Sequence, residues 1–495
     1  TCSRGVVRLR VLFNPKRGLP GRPPRARRDG RLLVCSWGSL ALALATEPNL
    51  SIDPGRATDI ELSQGEDLTF TLSLADRSPL VFLSAEAGNR AIAETGSWWQ
   101  AWSRDLGYDG SFRDAVERSL ITLRLLTYSP SGAPVAAPTT SLPEVIGGAR
   151  NWDYRFSWPR DASIGVAAFL ASGKHEEARS FMHWLTHASH LTHPRLDVLY
   201  TFYGKPGPNE REIHGATGYK GSRPVRFGNA VNRQHQLDVY GWVVDAAWLM
   251  TQSGQQLERQ TWRAVCGFAD FAARNWRRPD AGIWEVRGEP VHHVHSKLMA
   301  WLALDRAARM AESHSARRGD VDRWREQRDL LAQDIRQAGF DHDRNAYVGR
   351  YGSSDLDAAL LLLPVLEFEP SSTRVAGTVA AIRNELEAGK GVLYRYRHAE
   401  DGLEGDEGAF LPCSFWLVQA LARTGELLEA EQLFDHLLSF ANDVGLLSEE
   451  LDPETGELLG NFPQALTHAT LIQAALAIQT ASGARSSPAD LSEAN

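Results

Sequence analysis

Between residues 112 and 481 the chain reads as helix broken by connections of two alternating kinds. Apolar residues recur at helical spacing, and Gly, Pro and Asp/Ser caps divide the stretch. The predicted segments lie near 112–128, 161–173, 176–190, 234–252, 255–276, 292–312, 320–338, 355–366, 372–388, 409–424, 427–441 and 463–481. Connections after the even-numbered segments are short, about two to seven residues; those after the odd-numbered ones are long, about 15 to 43, against a usual 2–8 between helices. Short connections join antiparallel neighbours. If the helices alternate up and down, every long loop emerges at one end, and long structured loops are where function concentrates. The pattern therefore predicts a toroid of six helical hairpins with a smooth face and a working face. The alternative is an irregular helical array.

Before this region the pattern is different. Val6–Leu12 and Asp67–Leu74 alternate apolar and polar residues, with Gly/Pro/Asp clusters between them, as half-buried strands do. Residues 1–88 are read as a partial antiparallel β-sandwich, 89–111 as a linker with a helical segment, 112–482 as the toroid and 483–495 as a disordered tail. Arg25, Arg27, Arg28 and Arg31 before Leu32–Ala45 imitate a signal peptide. The stretch starts too late in the chain and is interrupted by Trp37, Gly38 and Ser39, so a β-hairpin behind a basic loop is expected, with the cytoplasm the favoured compartment. Residue 1 is Thr, which suggests a fragment or a processed chain.

Composition narrows the function classes. The 495 residues are 43% hydrophobic and 23% charged with a formal charge of −8, so there is no basic field to attract nucleic acid. No apolar run approaches the 18 or so residues of a spanning helix. Cys2, Cys35, Cys266 and Cys413 are scattered, with no CxxC, and are expected as buried free thiols. The 15 Trp serve sugar stacking as well as core packing.

The long loops carry the chemistry. The first holds Gly147-Gly148-Ala149-Arg150-Asn151-Trp152-Asp153-Tyr154-Arg155-Phe156-Ser157-Trp158-Pro159-Arg160-Asp161. Rings interleaved with Arg and Asp suit a polyhydroxylated ligand, and Trp158, Arg160 and Asp161 are candidate binding residues; Asp161 alternatively caps the next helix. The third holds Gly282-Ile283-Trp284-Glu285-Val286-Arg287. A carboxyl desolvated beside Trp284 suits a general acid, whereas Glu285 paired to Arg287 would be a bland surface charge. His292, His293, His295 and Lys297 follow, but no carboxylate cluster of recognisable spacing completes a metal site, and none is assigned. The fifth holds Arg395 and Glu407, each read as ligand-binding or structural, Arg395 through a loop acid and Glu407 as a helix cap. The last holds Ser448-Glu449-Glu450-Leu451-Asp452. Two carboxylates on separate elements can flank a scissile bond, a wider pair leaving room for water. Further polar groups at this end are Tyr219, Arg223, Arg226 and Asn229; His183, His187, His190 and His193 read as a polar helix face. No nucleophile elbow, phosphate loop or dinucleotide fingerprint has a usable context.

The segments GGARNWDYRFSWPRDAS, GIWEVRGEPVHHVHSKLMAW, SDLDAALLLLP, EGAFLPCSFWLV and LLSEELDPETGELLGNFPQALTH resemble glycoside hydrolase family 15, the glucoamylase-type enzymes, and more closely the bacterial branch that includes trehalases. The resemblance implies an (α/α)6 barrel preceded by a partial β-sandwich, and hydrolysis of terminal α-glucosidic bonds with inversion. It implies Glu285 as general acid and Glu449 as general base, Glu450 being its immediate rival. It also implies sugar binding by Arg160, Asp161 and Arg395. Leu451 stands where an aromatic often lies, and Pro159 fits the bacterial pattern better than the fungal one.

The function expected is that of an exo-acting hydrolase of small α-glucosides or α-glucans, with trehalase and glucoamylase action sharing one machinery. No organic cofactor is required; phosphate or Mg2+ dependence fits some trehalases. Neither nucleic acid nor membrane is a partner, and oligomeric state is not indicated. The rivals are a non-catalytic carbohydrate-binding or sensor protein on the same toroid and a disaccharide phosphorylase.

Overall fold

In the computed structural model, residues 1–18, 21–313, 320–389, 391–397, 401–403 and 405–485 are described. The chain forms two compact units, Thr1–Asp105 and Leu106–Asn495. Of the tail expected from residue 483, Gly483–Arg485 continue the last helix and 486–495 lie outside the described residues.

The first unit contains β1 (Val6–Leu12), β2 (Arg25–Asp29), β3 (Leu32–Trp37), β4 (Leu40–Glu47), β5 (Ala57–Ser63), β6 (Thr69–Asp76) and helix α1 (Ala85–Arg104). Strands β2-β3-β4-β6 form one antiparallel sheet and β1-β5 a ribbon. Leu33, Cys35, Leu44 and Ile52 make a small core against which Val11 and Phe13 pack. The predicted hairpin is β3–β4, where Trp37 pairs with Leu40 around Gly38 at φ 66°, the positive φ such two-residue turns require. The basic stretch before it is not a loop but strand β2, fully exposed at the sheet edge, where charge discourages edge pairing. Helix α1 is capped by Ser84, whose Oγ accepts from Ala87 N at 3.2 Å. It packs on β6 where Gly88 leaves no room for a Cβ beside Thr71, so it belongs with the sheet rather than with a linker.

The second unit holds the other helices: α2 (Arg113–Leu125), α3 (Pro159–Ala171), α4 (His175–Ala188), α5 (Asp238–Gln252), α6 (Arg259–Asn275), α7 (Val294–Ser313), α8 (Val321–Ala338), α9 (Leu362–Val365), α10 (Thr373–Leu386), α11 (Leu411–Thr424), α12 (Leu427–Leu438) and α13 (Ala465–Arg485). Each predicted segment has its counterpart. The eighth is the weakest: a 3₁₀ turn, Ala358–Leu361, runs into the single α-turn of α9. Pro364, which has no N–H to donate, limits regular helix there.

Helices α3, α5, α7, the Ala358–Val365 segment, α11 and α13 touch in that order, and α13 returns to α3. This closed inner ring is wrapped by α2, α4, α6, α8, α10 and α12, giving an (α/α)6 barrel. Burial follows position. Every residue of α11 from Leu411 to Ala422 is buried, as a helix surrounded on all sides must be. Outer helix α12 buries only Leu427, Ala430, Phe434 and Leu437, a single stripe. Gly425 at φ 97° ends α11 and turns the chain straight into α12. The long connections instead precede the inner helices, and so gather over their N-termini.

Candidate active site

Five of the six long connections line one cavity of about 740 Å³, open to solvent at its mouth. Ala136, Trp152, Tyr154 and Trp158 come from the α2–α3 connection, and Asn229 and Val231 from α4–α5. Ile283–Arg287 come from α6–α7, Arg395, Tyr396, Leu403 and Phe410 from α10–α11, and Glu449 and Gln464 from α12–α13. The sixth contributes from behind: Asp357 accepts from Trp284 Nε1 at 2.9 Å.

Glu285 stands on a tight turn at φ 60°, a left-handed conformation costing a non-Gly residue about 1–2 kcal/mol. Such strain persists when its surroundings over-determine it. Here Gln234 Nε2 donates to the carbonyls of Glu285 and Val286 at 3.1 and 3.0 Å, and Asp357 anchors the preceding Trp. Gly282 (φ 69°) permits the turn, since a Cβ there would meet the His293 ring at 2.8 Å. The Glu285 carboxylate accepts from Trp158 Nε1 and Arg160 Nη2, both at 2.8 Å and both on Oε1. It does not pair with Arg287, whose guanidinium is held by Glu210.

Arg160 is the buried junction of this side. Nη1 donates to Gln236 Oε1 at 3.0 Å and to Asp238 Oδ2 at 3.3 Å, and Nε lies 3.7 Å from Asp161. Asp161 is not the cap of α3: Trp158 holds that position, and Asp161 lies in the first turn. Burial pushes the Asp161 carboxyl up to about 6, with Arg160 acting in the opposite direction.

Glu449 and Glu450 are adjacent where a short strand begins, and adjacent side chains of extended backbone point to opposite sides. Glu449 faces the cavity. Glu450 points away: its Oε2 accepts from Gly408 N at 2.7 Å and its Oε1 lies 3.7 Å from Arg395. Glu450–Leu451 pairs with Ala409–Phe410 on one side and Leu458–Leu459 on the other, which fixes this division. Tyr154 donates its hydroxyl to Glu449 Oε1 at 2.7 Å, while Oε2 has no hydrogen-bond partner among the described residues. Burial, reinforced by the charge of Glu144, holds the Glu449 carboxyl well above the usual range; the Tyr154 hydrogen bond opposes this.

Arg395 lines the cavity and is also ion-paired to a loop acid. Its guanidinium forms a fork with Glu407 and lies 3.7 Å from both Glu144 and Glu450. Glu407 neither caps α11, whose N-cap position is held by Phe410 with no side-chain cap, nor lines the cavity. It bridges Arg395 and Arg150, the latter at 3.1 Å. Glu144, Glu407 and Glu450 form the one three-ligand group of metal-binding type among the described residues. The Arg395 guanidinium already supplies the positive charge there, so these residues do not fit a cation. The histidines form no such group among the described residues, and the positive charge of Lys297 lies close to His293.

Tyr154, Glu144, Gln236, Asp238 and Asp357 carry the site with no role assigned from sequence. Most of their partners in the site lie tens to hundreds of residues away, as in Tyr154–Glu449, Gln236–Arg160, Asp238–Arg160 and Asp357–Trp284. Of these, Tyr154, an aromatic inside the first-loop motif, and Asp357, inside the SDLDAALLLLP segment, carry a sequence signal. The four cysteines are buried thiols in no disulfide, as expected. Of the loop groups, Asn229 lines the cavity, whereas Arg226 is buried behind it, donating to the carbonyls of Ala149 and Asn151.

Residues 110–476 match the sequence profile of Glycosyl hydrolases family 15. A relative from Mycolicibacterium smegmatis named "Trehalase" is 40% identical over 88% of this chain and 65% of its own length. Another trehalase, from Thermoplasma volcanium, is 39% identical over 79% of this chain and 62% of its own. The chain thus spans a little under two thirds of these relatives. Among solved structures, a bacterial glucoamylase complexed with acarbose superposes with a TM-score of 0.66 at 16% identity, covering 90% of this chain and 73% of that one. This likeness concerns the fold.

Proposed function

The chain belongs to glycosyl hydrolases family 15, and we propose that it hydrolyses the α-glucosidic bond of a small glucoside, trehalose first among them, releasing glucose. The observation that carries this reading is one cavity presenting two carboxylates, each with one oxygen held by protein donors: Glu285 Oε1 by Trp158 and Arg160, Glu449 Oε1 by Tyr154. The second oxygen of Glu285 carries the proton to the leaving glycosidic oxygen. The second oxygen of Glu449, oriented but not bonded, takes a proton from water as it attacks the opposite face of the sugar. The products have inverted stereochemistry at the attacked carbon. Arg160, Asp161 and Trp158, at the buried floor, hold the nonreducing ring. Trp284 and Arg395 line the wall, and Glu407 positions Arg395.

Trehalose is placed first because the relatives at 39–40% identity are named trehalases. The chemistry needs no organic cofactor. No helix among the described residues is long and apolar enough to cross a membrane.

The test is glucose release by the purified chain from trehalose, maltose, isomaltose and a short maltodextrin, with and without phosphate and Mg2+, alongside Glu285→Gln and Glu449→Gln. Glucose from trehalose, abolished in both variants, is expected. Glucose 1-phosphate appearing only with phosphate would identify a phosphorylase instead. Sugar binding without turnover by the wild type would identify a binding protein.

A further inference from the structure

The mouth of the cavity is ringed by a collar that the hydrolytic chemistry does not use. Leu403 lines the cavity while its neighbour Gly402 is exposed, so this segment is rim rather than floor. It is rooted by Asp401, which is only 4% exposed. The Asp401 carboxylate accepts from Tyr396 OH at 2.8 Å and from Leu403 N at 2.9 Å, and it pairs with Arg150 Nη1 at 2.9 Å. Burial works against the charge, but these three donors prevail and hold its pKa below the ordinary value. Arg150 Nε also donates to Gly405 O at 3.1 Å.

The rim is fastened across the mouth as well. Asp401 O accepts from Arg287 N at 2.8 Å. Gly402, at φ 74°, lies so close to the opposite loop that a Cβ would meet Gly288 N at 2.8 Å and Arg287 C at 2.9 Å. Arg287 in turn binds Glu210 through both nitrogens, at 3.1 and 2.7 Å. It also stacks its guanidinium on Trp152, 4.5 Å from the ring centroid. Four long connections are therefore joined around the entrance: Arg150 and Trp152 from the first, Glu210 from the second, Arg287 from the third, Asp401–Leu403 from the fifth. None of Asp401, Gly402 or Glu210 contacts Glu285 or Glu449 in the structure's hydrogen bonds.

We propose that Asp401 is a specificity-determining residue that roots this collar and limits the substrate to short α-glucosides, a disaccharide being taken whole and longer chains meeting the rim. The inference rests on reading the cavity as an α-glucoside site. A floor that grips one sugar ring leaves any further rings to leave through the mouth. A mouth fixed by backbone contact and buried charge cannot widen for them cheaply.

The experiment compares kcat/KM for the disaccharide that the wild type cleaves best with kcat/KM for its homologue lengthened by α-1,4-linked glucose units. The wild type is expected to prefer the disaccharide at least tenfold. Asp401→Ala removes the root and is expected to reduce that preference about tenfold. Asp401→Asn, whose single carbonyl oxygen can keep one of the Tyr396 and Leu403 bonds while losing the charge that holds Arg150, gives an intermediate value. Gly402→Ala, which pushes the rim outward from an exposed position without disturbing the buried charges, shifts the preference in the same direction. A loss of activity equal for both substrates in all three variants would mean that Asp401 is merely structural, and would overturn the proposal. So would a wild type indifferent to length. No turnover of any α-glucoside by the wild type would instead remove the hydrolase reading on which it rests.

Discussion

Tyr154 and Glu449, 295 residues apart in sequence, are joined by a 2.7 Å hydrogen bond from the phenol to Oε1, and this is the bond that orients the proposed base. Glu449 must be ionised to accept a proton. Burial raises its pKa first, the charge of Glu144 next, and the Tyr154 bond lowers it. Replacing Tyr154 by Phe removes the stabilising donor on that oxygen. The acid limb of the kcat/KM profile is therefore expected to move to higher pH. A hydrogen bond to a charged group contributes about 1.5–3 kcal/mol, so kcat/KM at the optimum should fall about ten- to a hundredfold. A pH–rate profile of Tyr154→Phe, with an unchanged melting temperature as control, checks this.

Glu144→Gln should move the same limb the other way. Glu144 is buried, accepts from Trp152 Nε1 at 2.7 Å, and is itself pushed up to about 7 by burial. Glutamine keeps the acceptor for Trp152 and removes the negative charge that raises Glu449. The base then ionises more easily, and the acid limb shifts to lower pH. Opposite shifts in two variants of similar fold cannot come from general loosening of the barrel.

Glu285→Gln tests the acid separately from the base. Losing a general acid costs typically 10²–10⁴-fold, but a substrate whose leaving group needs no proton escapes that loss. Trehalose turnover is expected to collapse by about that factor. Turnover of α-glucosyl fluoride is expected to fall far less, measured side by side by fluoride and glucose release.

Much of this architecture is legible in the chain because it is local. The twelve segments follow from helical periodicity and caps, and α11 could be recognised as an inner helix because no charge interrupts Leu411–Ala422. The alternation of connection lengths places the working face. Glu285 and Glu449 stand out inside motifs. Features built from distant residues are not legible in this way. The three-stranded piece that turns Glu449 inward and Glu450 away is built from residue pairs too short to show an alternating pattern. Glu407 looks like a cap or a ligand until Arg150, 257 residues earlier, is seen to hold it. The eighth segment had the composition of a helix, and Pro364 with the cap at Asp357 left only a turn.

The Arg395–Glu407 pair supplies a prediction on stability and binding together. Both side chains are 10% exposed, and removing one member of a buried pair costs about 3–5 kcal/mol. Glu407→Ala should lose stability of that order in urea unfolding. Because Arg395 lines the cavity, KM should also rise. Glu407→Gln, which retains an acceptor for the guanidinium, should do less of both.

The assignment of acid and base is tested most directly by the anomers first released from trehalose, followed by NMR faster than mutarotation. Inversion at the attacked carbon predicts one β-glucose and one α-glucose in equal initial amounts, because only one of the two rings is attacked. Initial release of α-glucose alone would mean retention, and would contradict Glu449 as the base that activates water.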